Sequence, residues 1–446
     1  MSGEQSWHGR RLHFVGIGGA GMSGLALVAG QLGGEVTGSD RAESSYLAEL
    51  RAAGIEPAIG HDAANVPDGA ELVYSTAIPE ENPERAAARE RGLREVHRGE
   101  LLGEVSALKR CLAVSGTHGK TTTTAMIVHA LRACGMDPAF LVGGEIRAGD
   151  DPPRNAAWGT GEWIVVEGDE SDRSLLQLHP EIAVVTNAEL DHHTTYGSLR
   201  DLEGTLRQFL AGAPQAVVWD RPELLALRDG PVVAFDVPAP ELDSGGSRFA
   251  VDGVEVRLTV PGAHNALNAA AALAACTLAG ADPQRAAAAL AEFRGVERRF
   301  QRLGETDAGA VVYDDYAHHP TEVAATLRAA RTLEPQRLVA VFQPHLYSRT
   351  AALWRQFGSA LALADVPGVV EIYPARERAD DFPGITGLLV AEAAADAAGG
   401  RPVLWLADLD DAERVLRTEL RAGDLCLVLG AGDIDGLGRR LVAASA

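Results

Sequence analysis

One stretch of the chain decides its fold class, namely SGTHGKTTT at Ser115–Thr123. The apolar run Cys111–Val114 before it predicts a buried strand, and Thr121–Ala133 after it predicts a helix. A glycine-rich loop between a strand and a helix turns backbone N–H groups towards phosphate oxygens. Because Val114 stands where the standard Walker pattern has its first glycine, this is a shorter loop, GxxGKT. An ordinary glycine turn that caps a helix is the alternative, but the strand–loop–helix context favours a nucleoside-triphosphate site.

The lysine of this loop is unusual in the composition of the chain. Of 40 lysines and arginines, only Lys109 and Lys120 are lysines. A compact ammonium at the junction of loop and helix can reach between terminal phosphates. The hydroxyl of the next residue, Thr121, is placed to bind magnesium. The loop therefore predicts a nucleoside triphosphate together with a magnesium ion.

Composition excludes several classes of protein. A chain of 446 residues with 46% hydrophobic and 23% charged residues is typical of a soluble protein of two or three domains. The net charge of −22 argues against nonspecific nucleic-acid binding, although local loops and arginines can still bind anionic nucleotides. No secretory pattern is found at the N-terminus, and the alanine-rich stretches are interrupted by polar residues, so no membrane insertion is expected. The four widely spaced cysteines indicate a reducing cytoplasm.

The sequence predicts an α/β protein of three blocks, 1–107, 108–300 and 301–446, with mostly parallel sheets wrapped by helices. Further strands are predicted at Leu12–Gly16, Glu35–Gly38, Leu72–Ser75, Trp163–Val166, Ile182–Thr186, Ala310–Tyr313, Leu338–Phe342, Val369–Tyr373, Val403–Leu406 and Leu425–Leu429. Helices are predicted at Met22–Leu32 and Pro83–Arg91, and a long one from Ala266, whereas Phe235–Val254 is expected to form a hairpin and loop.

A second glycine loop lies near the N-terminus. Gly16–Gly21 matches GxGxxG directly after a predicted strand and before a predicted helix. Asp40 follows the next strand, at the spacing expected for a carboxylate that binds ribose hydroxyls. NAD and a UDP-sugar both carry the diphosphate that such a loop binds, and a purely structural turn is a third interpretation. The rest of the chain must decide between them.

Carboxylates and imidazoles end two strands of the middle block. Glu167 follows the strand at Trp163–Val166 and suits a hard cation such as magnesium. His192 lies in TNAELDHH, after the next strand, and is a less usual magnesium ligand. A hydrogen-bonded histidine outside the metal's coordination shell is the alternative for His192. Both segments are expected at the same edge of the sheet as the phosphate loop.

Two further regions carry polar residues at the starts of helices. Asn265 and Asn268 share one face of a first helical turn, where they could read the edge of a base or cap the helix. In the third block the segments are ERRF at 297–300, YDDYAHHP at 313–320 and FQPHLYSRT at 342–350. The last two follow predicted strands, so their arginines and histidines could clamp phosphate and carboxylate groups. A capping or surface-loop interpretation explains either of these two singly but not easily both.

Together these segments resemble the Mur ligases of peptidoglycan synthesis, and the resemblance runs nearly end to end. The motifs that carry it, in the family's order, are HFVGIGGAGMSGLA, YSTAIPEENPE, SGTHGKTTT, EGDESD, TNAELDHH, GAHNALNAAAA, ERRF, DDYAHHPTEV and FQPHLYSRT. Folate-polyglutamate ligases share the central loop but are not expected to carry the first motif. The resemblance implies a Rossmann-like UDP-binding domain, a central P-loop ATPase domain and a Rossmann-like C-terminal domain.

The branch of the family that it resembles most implies an ATP-dependent reaction in the cytoplasm. L-alanine would be joined to the lactyl carboxylate of UDP-N-acetylmuramate through an acyl phosphate, with two magnesium ions expected. The alternative within the family is a recycling ligase that joins a murein tripeptide to the same nucleotide sugar. A nicotinamide dehydrogenase and a noncatalytic nucleotide-binding regulator are rivals that leave several motifs unexplained. The oligomeric state is left open, a homodimer included.

The resemblance also implies residue roles. The UDP-sugar is expected at Gly18, Gly19, Ala20, Gly21, Met22, Ser23, Asp40, Ser75, Thr76 and Ala77. ATP is expected at Gly116, Thr117, His118, Gly119, Lys120, Thr121, Thr122, Asn265, Asn268, Arg299 and Asp315. Metal ligands are expected to be Thr121, Glu167 and His192; catalytic residues Lys120, His192, His318 and Arg349; and residues near the acyl group or amino acid Tyr316 and His345.

The chain departs from the family's pattern at three points. Many relatives have arginine where this chain has Leu346, so Arg349 is expected to contribute more. His193 follows His192 where an aspartate is often found. Several relatives carboxylate a lysine of the central domain, but here no lysine follows Lys120. The second magnesium would then be held by His192, substrate oxygens and water, without a carbamate.

Overall fold

The computed structural model describes residues 6–146 and 153–443, so the outer limits of the predicted blocks at 1 and 446 lie outside the described residues. The chain divides into two compact units. The first comprises Met1–Glu189, Ser198–Asp236 and Asn268–Leu290, and the second Leu190–Gly197, Val237–Leu267 and Ala291–Ala446. In the described part of the chain no helix is both long and apolar enough to cross a membrane.

The first unit contains a five-stranded parallel sheet near the N-terminus. Its elements are β1 (Arg11–Val15), α1 (Ala20–Gln31), β2 (Glu35–Asp40), α2 (Ser45–Ala52), β3 (Ala58–Ile59), a 3₁₀ turn (Ala63–Asn65), β4 (Glu71–Tyr74), α3 (Pro83–Glu90), β5 (Glu95–His97) and α4 (Arg98–Ser106). The strand order is β3-β2-β1-β4-β5. Since β1 has β2 on one side and β4 on the other, a ligand crevice is expected at its carboxyl end.

The predicted strands of this sheet are confirmed, with three small corrections. Ser75 lies just beyond β4, which ends at Tyr74. Gly16 does not belong to β1, because its φ of +78° turns the chain out of the strand. Asp40 is the last residue of β2 and does not follow it. In β1, Leu12, Phe14 and Val15 are fully buried, as expected for a parallel strand covered on both faces.

The second sheet of the first unit has seven strands. Its elements are β6 (Arg110–Ser115), α5 (Lys120–Ala133), β7 (Ala139–Ile146), β8 (Arg154–Ala157), β9 (Trp163–Glu167), a 3₁₀ turn (Ser174–Gln177), β10 (Ile182–Val185), α6 (Leu199–Ala211), β11 (Gln215–Trp219), α7 (Pro222–Leu225), β12 (Val233–Phe235), α8 (Ala263–Leu278) and α9 (Pro283–Leu290). The part of α8 before Asn268 is assigned to the second unit. The order is β12-β11-β10-β6-β9-β7-β8, with β8 antiparallel to β7. Since β6 lies between β10 and β9, the phosphate loop opens at a second point where the strand order reverses.

Helix α1 joins the two sheets of the first unit. Asn155 of β8 is fully buried, and its Nδ2 donates to the carbonyl of Ala20 at 2.7 Å and to Ser23 Oγ at 2.9 Å. A Cβ added at Gly24 would lie 3.1 Å from that of Ala156, so the helix and the strand are in close contact. This packing explains why most of α1 is buried around its whole circumference.

The second unit contains two sheets. The predicted hairpin region forms an antiparallel sheet of β13 (Glu241–Asp243), β14 (Gly246–Val251) and β15 (Val254–Leu258). The larger sheet and its helices comprise β16 (Gln301–Glu305), β17 (Val311–Asp315), α10 (Pro320–Arg331), β18 (Arg337–Phe342), α11 (Tyr347–Leu361), β19 (Val366–Val369), a 3₁₀ turn (Ala379–Asp381), α12 (Gly387–Ala397), β20 (Leu404–Trp405), α13 (Leu409–Glu419), β21 (Asp424–Leu429) and α14 (Asp435–Val442). The order is β16-β17-β21-β18-β19-β20, parallel except for β16.

One predicted strand is wrong. The segment Val369–Tyr373 was expected to be a strand, but β19 ends at Val369. The strand is set by its pairing with β18, in which Gly368 is in register with Val341. It therefore includes Pro367 and Gly368, two residue types that local propensity disfavours in strands. Tyr373 instead lies beside the loop after β18, where its N–H donates to the carbonyl of Pro344 at 2.8 Å.

Candidate active site

The phosphate loop of the first unit needs its two glycines for both conformation and space. Gly116 has φ of +126° and Gly119 φ of +81°, which side-chain-bearing residues rarely adopt. A Cβ added at Gly116 would lie 2.3 Å from Thr186 Oγ1, and one added at Gly119 would lie 2.4 Å from Asn268 Oδ1. The structure therefore brings the predicted Asn268 against the phosphate loop. The backbone of the loop, rather than its side chains, forms the cradle.

Lys120 starts α5 and folds back over this cradle. Its Nζ donates to the carbonyls of Gly116 at 2.7 Å and Thr117 at 3.0 Å, and to Glu170 Oε1 at 3.0 Å. Glu170 is fully buried. The ammonium is thus held at the mouth of the loop by one carboxylate and two carbonyl oxygens. Sequence reasoning missed Glu170, although it lies in the quoted motif EGDESD.

Charge around Lys120 keeps it protonated. Burial by itself would lower the pKa of this ammonium, but Glu170, then Asp169 and Glu167, raise the pKa above its ordinary value. A cation without a nearby carboxylate would tend to lose its proton on burial. The lysine therefore retains the positive charge that a terminal phosphate requires.

Thr121 and Glu167 lie together at the carboxyl ends of β6 and β9. The Oγ1 of Thr121 donates to Glu167 Oε1 at 2.9 Å, and the N–H of Gly143 donates to Glu167 Oε2 at 2.7 Å. A hydroxyl and a carboxylate are the oxygen ligands that Mg²⁺ prefers. The two predicted ligands in this unit are therefore adjacent and chemically suited to that ion.

The segment that follows β10 packs against one side of the phosphate loop. Asn187 Oδ1 accepts a hydrogen bond from the N–H of His118 at 2.8 Å, and Thr186 Oγ1 donates to the carbonyl of His118 at 2.7 Å. The His118 ring lies 3.0 Å from Glu189. Thr122 is buried in the first turn of α5. These contacts hold the phosphate loop in place. The sequence predicted that the segment after β10 lies at the same edge of the sheet, but not that it contacts the loop.

The fingerprint loop Gly16–Gly21 is also preorganised. The N–H of Gly18 donates to Asp40 Oδ2 at 2.9 Å, so the predicted ribose carboxylate already contacts the loop. Gly19 precedes α1 without a side-chain cap, and the first turn of the helix has no acidic residue. Its open N–H groups and the helix dipole favour an anion there.

The other residues predicted for the UDP-sugar differ in their exposure. Met22 and Ser23 are buried within α1. Ser75 is half-buried, and Thr76 and Ala77 are exposed, directly after β4 at the carboxyl edge of the sheet. Because β4 neighbours β1, this segment and the fingerprint loop border the same crevice.

In the second unit, Asp191 and Arg349 form a buried ion pair. The guanidinium donates to both carboxylate oxygens, at 2.9 and 3.1 Å, and each side chain is only 4% exposed. Burial by itself would raise the pKa of Asp191, but Arg349, followed by His192, holds the pKa of this carboxyl well below its usual range. His192, 3.7 Å from Asp191, has φ of +53°, a left-handed conformation that few residues other than glycine adopt. The structure thus brings His192 and Arg349 together around a carboxylate that sequence reasoning did not select.

Two predicted histidines lie beside this ion pair. His345 Nδ1 is 3.2 Å from Arg349 Nη1, and the His345 and His318 rings are 6.2 Å apart. His318 Nδ1 lies 3.0 Å from the carbonyl of Tyr316. Burial lowers the pKa of His318 to about 4 and that of His345 to about 3. Both imidazoles are therefore neutral at neutral pH and can accept or donate hydrogen bonds.

Asp315 is held by the backbone. Its two carboxylate oxygens accept hydrogen bonds from the N–H groups of Phe300 and Ala317, each at 2.7 Å, and burial raises its pKa to about 6. The guanidinium of Arg299 lies 4.9 Å from the centre of the Tyr316 ring. The predicted residues of ERRF and YDDYAHHP are therefore neighbours.

Asn265 belongs to the second unit, and its side chain donates to the carbonyl of Pro261 at 2.8 Å. This contact is not itself a helix cap, because a capping side chain accepts a hydrogen bond from a backbone N–H. Asn268, by contrast, lies against the phosphate loop of the first unit. The two asparagines that were predicted to act together therefore make different contacts.

Comparison with known proteins identifies the family. The Mur ligase catalytic domain matches residues 11–110, the Mur ligase middle domain matches 114–276, and the Mur ligase glutamate ligase domain matches 298–432. The chain belongs to the Mur ligase family. The resemblance inferred from the motifs is thereby confirmed.

Among curated Mur ligases, the UDP-N-acetylmuramate–L-alanine ligase of Rubrobacter xylanophilus is 45% identical over 450 residues, covering 97% of this chain and 99% of the relative. Among solved structures, the UDP-N-acetylmuramate-alanine ligase of Thermotoga maritima is 30% identical with a TM-score of 0.84, covering 97% of this chain and 98% of that one. A murein peptide ligase of Psychrobacter arcticus is 25% identical with a TM-score of 0.74, and 98% of each chain is covered. The α/β fold with three Mur ligase domains is thus confirmed.

Proposed function

We propose that this Mur ligase uses ATP to join L-alanine to the lactyl carboxylate of UDP-N-acetylmuramate. The products are UDP-N-acetylmuramoyl-L-alanine, ADP and phosphate, in the synthesis of peptidoglycan precursors. The observation that carries the proposal is the 45% identity, over nearly the whole of both chains, with a ligase of that name. The two glycine loops at the carboxyl ends of β1 and β6 agree with it, because one reaction then needs two nucleotide sites.

The proposed reaction has two steps. A carboxylate oxygen of the sugar bonds to the γ-phosphorus as the bond to ADP breaks, and an acyl phosphate forms. The alanine nitrogen then bonds to the acyl carbon, and phosphate leaves after the amine has lost its proton. Both steps depend mainly on positioning and on neutralising moving negative charge. Lys120 supplies a charged donor for this, since its neighbours keep it protonated.

Magnesium fits the donors of the phosphate loop. Thr121 and Glu167 are adjacent oxygen ligands and would hold one ion, and His192 is proposed for a second. The ion supplies positive charge that neutralises phosphate oxygens. Glu167 is itself oriented by the N–H of Gly143, so its carboxylate is fixed before any ligand binds.

The remaining roles are part of the same proposal. Gly18–Gly21, with Asp40 and Ser75–Ala77, would bind the nucleotide sugar. Asn265 and Asn268 would face adenine and Asp315 the ribose, while Arg299, Tyr316, His318, His345 and Arg349 would contact phosphates, the acyl group or alanine. The blocks 1–107, 108–300 and 301–446 would be the three domains, in a cytoplasmic enzyme.

A murein tripeptide is the second candidate amino substrate, because a murein peptide ligase shares the fold over 98% of both chains. Phosphate release should be measured with ATP, UDP-N-acetylmuramate and, in turn, L-alanine, glycine, L-serine and the tripeptide. We expect release with L-alanine to exceed that with the tripeptide, and Lys120→Ala to abolish both. Release that depends on the tripeptide alone would replace the proposal with the recycling reaction. No release with either would refute it.

A further inference from the structure

Arg98 is a basic residue at the edge of the fingerprint site that the motifs did not select. It is the first residue of α4, directly after β5, and so lies at the carboxyl edge of the first sheet. A Cβ added at Gly21 would lie 3.0 Å from Arg98 Nη1. The guanidinium is therefore against the first turn of α1, where the N–H groups of the helix have no partner in their own helix.

Two aspartates of the motif EGDESD hold this guanidinium in place. Arg98 Nε and Nη2 donate to Asp172 Oδ2 at 3.0 and 2.7 Å, and Nη2 also donates to Asp169 at 2.5 Å. The side chain of Arg98 is 20% exposed and that of Asp172 only 4% exposed. Within residues 6–146 and 153–443, Nη1 forms no hydrogen bond. One edge of the guanidinium thus donates to the two carboxylates, and Nη1 faces α1.

We propose that Arg98 Nη1 donates to an anionic oxygen of the nucleotide sugar at the fingerprint loop, and that Asp169 and Asp172 position it to do so. The inference rests on the proposed function, since it deepens the binding site for that substrate. Arginine suits the role because its rigid, planar fork can serve two anions from opposite sides. A lysine has the charge but not the fork.

The charge balance gives Arg98 a second effect. Arg98 is the only guanidinium that pairs with both Asp169 and Asp172 among the described residues, and Lys120 is a further cation near Asp169 alone. Without Arg98, Asp169 and Asp172 would face the incoming diphosphate directly, and like charges at short range repel. Loss of Arg98 should therefore weaken anionic ligands selectively. A purely structural ion pair between the two sheets predicts no such selectivity.

Calorimetry on the full chain tests this with four ligands: UDP-N-acetylmuramate, UDP-N-acetylglucosamine, UDP and uridine. For Arg98→Gln we expect about a 10- to 100-fold loss of affinity for the three diphosphates, the usual range for one charged hydrogen bond. Uridine binding should stay within about twofold of wild type, since no anionic oxygen is present. In turnover, KM for the nucleotide sugar should rise while KM for ATP stays constant. A loss confined to UDP-N-acetylmuramate would support contact with the lactyl carboxylate instead of the diphosphate.

Arg94→Gln is the matched control. Arg94 is 49% exposed and pairs with Glu71, Glu100 and Glu104, so the variant removes the same charge nearby without touching α1. It should bind all four ligands as wild type does. If Arg98→Gln fails to fold, Arg98→Lys keeps the charge but not the fork, and the same selective loss is expected in smaller measure.

Two results would overturn the inference: unchanged binding of all three diphosphates, UDP-N-acetylmuramate included, in a folded Arg98 variant, or an equal loss for uridine. A failure of the proposed function would look different, because wild type would not bind UDP-N-acetylmuramate. In that case, binding of UDP alone would still test whether Arg98 contacts a diphosphate.

Discussion

Replacing Lys120 by alanine should remove both chemistry and stability. The ammonium donates to the fully buried Glu170 at 3.0 Å, so Lys120→Ala leaves that carboxylate without its cation. Removing one partner of a buried ion pair costs about 3–5 kcal/mol, and we expect the free energy of unfolding to fall by about that amount. Phosphate release should fall by at least ~10²–10³-fold, the effect of losing one positioned charge-stabilising donor.

The double variant Lys120→Ala/Glu170→Gln separates these two effects. The neutral amide no longer needs a cation, so most of the lost stability should return while phosphate release should not. Urea unfolding followed by circular dichroism measures the first, and coupled phosphate detection the second. Affinity for UDP-N-acetylmuramate should stay within about twofold in both variants, because the fingerprint loop lies on another sheet. Unchanged stability in the single variant, recovered turnover in the double variant, or nucleotide-sugar binding lost on folded protein would each refute part of this reasoning.

Three further predictions concern the rest of the proposed site. Arg349→Ala should lower turnover by ~10²–10³-fold and raise the KM for ATP by a smaller factor. It should also destabilise the protein, because Asp191 stays buried without its partner. Unchanged turnover with a raised KM for ATP would contradict this. Since no lysine follows residue 120, activity should be the same in carbon-dioxide-depleted buffer with and without bicarbonate, and restoration by bicarbonate would show a carbamate ligand elsewhere. The pKa of His318 is lowered to about 4 and that of His345 to about 3 in the folded protein, against about 6.5 in the unfolded chain. Below about pH 6.5 the unfolded chain therefore binds more protons than the folded protein. The contribution of the two histidines to stability is complete above about pH 6.5 and is lost as the pH falls towards about 3. Thermal melting of wild type and His345→Gln from pH 7 to pH 4 checks this, with a smaller acid loss expected in the variant and equal losses speaking against it.

Contiguous motifs were the part of the site that the sequence could predict. The phosphate loop and the fingerprint loop each carry their glycines, strand and helix within about twenty residues, so local rules suffice. Lys120, Thr121 and Glu167 could be selected for the same reason, since the first two begin the helix after the phosphate loop and Glu167 ends a recognisable strand. The wrong strand at Val369–Tyr373 shows the limit of those rules, because pairing with β18 outweighed local propensity.

Partners that come from distant segments were missed. Glu170 is 50 residues from Lys120 along the chain, and Asp172 is 74 residues from Arg98. Nothing in the local pattern tells which carboxylate of EGDESD faces which cation, since that depends on how β9 lies beside β6 and how α4 packs. Such pairs become visible only when the topology of both sheets is known.

The buried contacts of α1 with β8 limit where this gene can be recombined with that of a relative. Asn155 bonds to the first turn of α1, and Gly24 lies in contact with Ala156, so a foreign N-terminal segment joined near residue 107 would meet a surface shaped for another helix. A crossover there should give insoluble chimaeras. Crossovers that transfer residues 11–290 as one cassette keep the helix, its seat and the pairing of β6 with β10, and should yield folded hybrids.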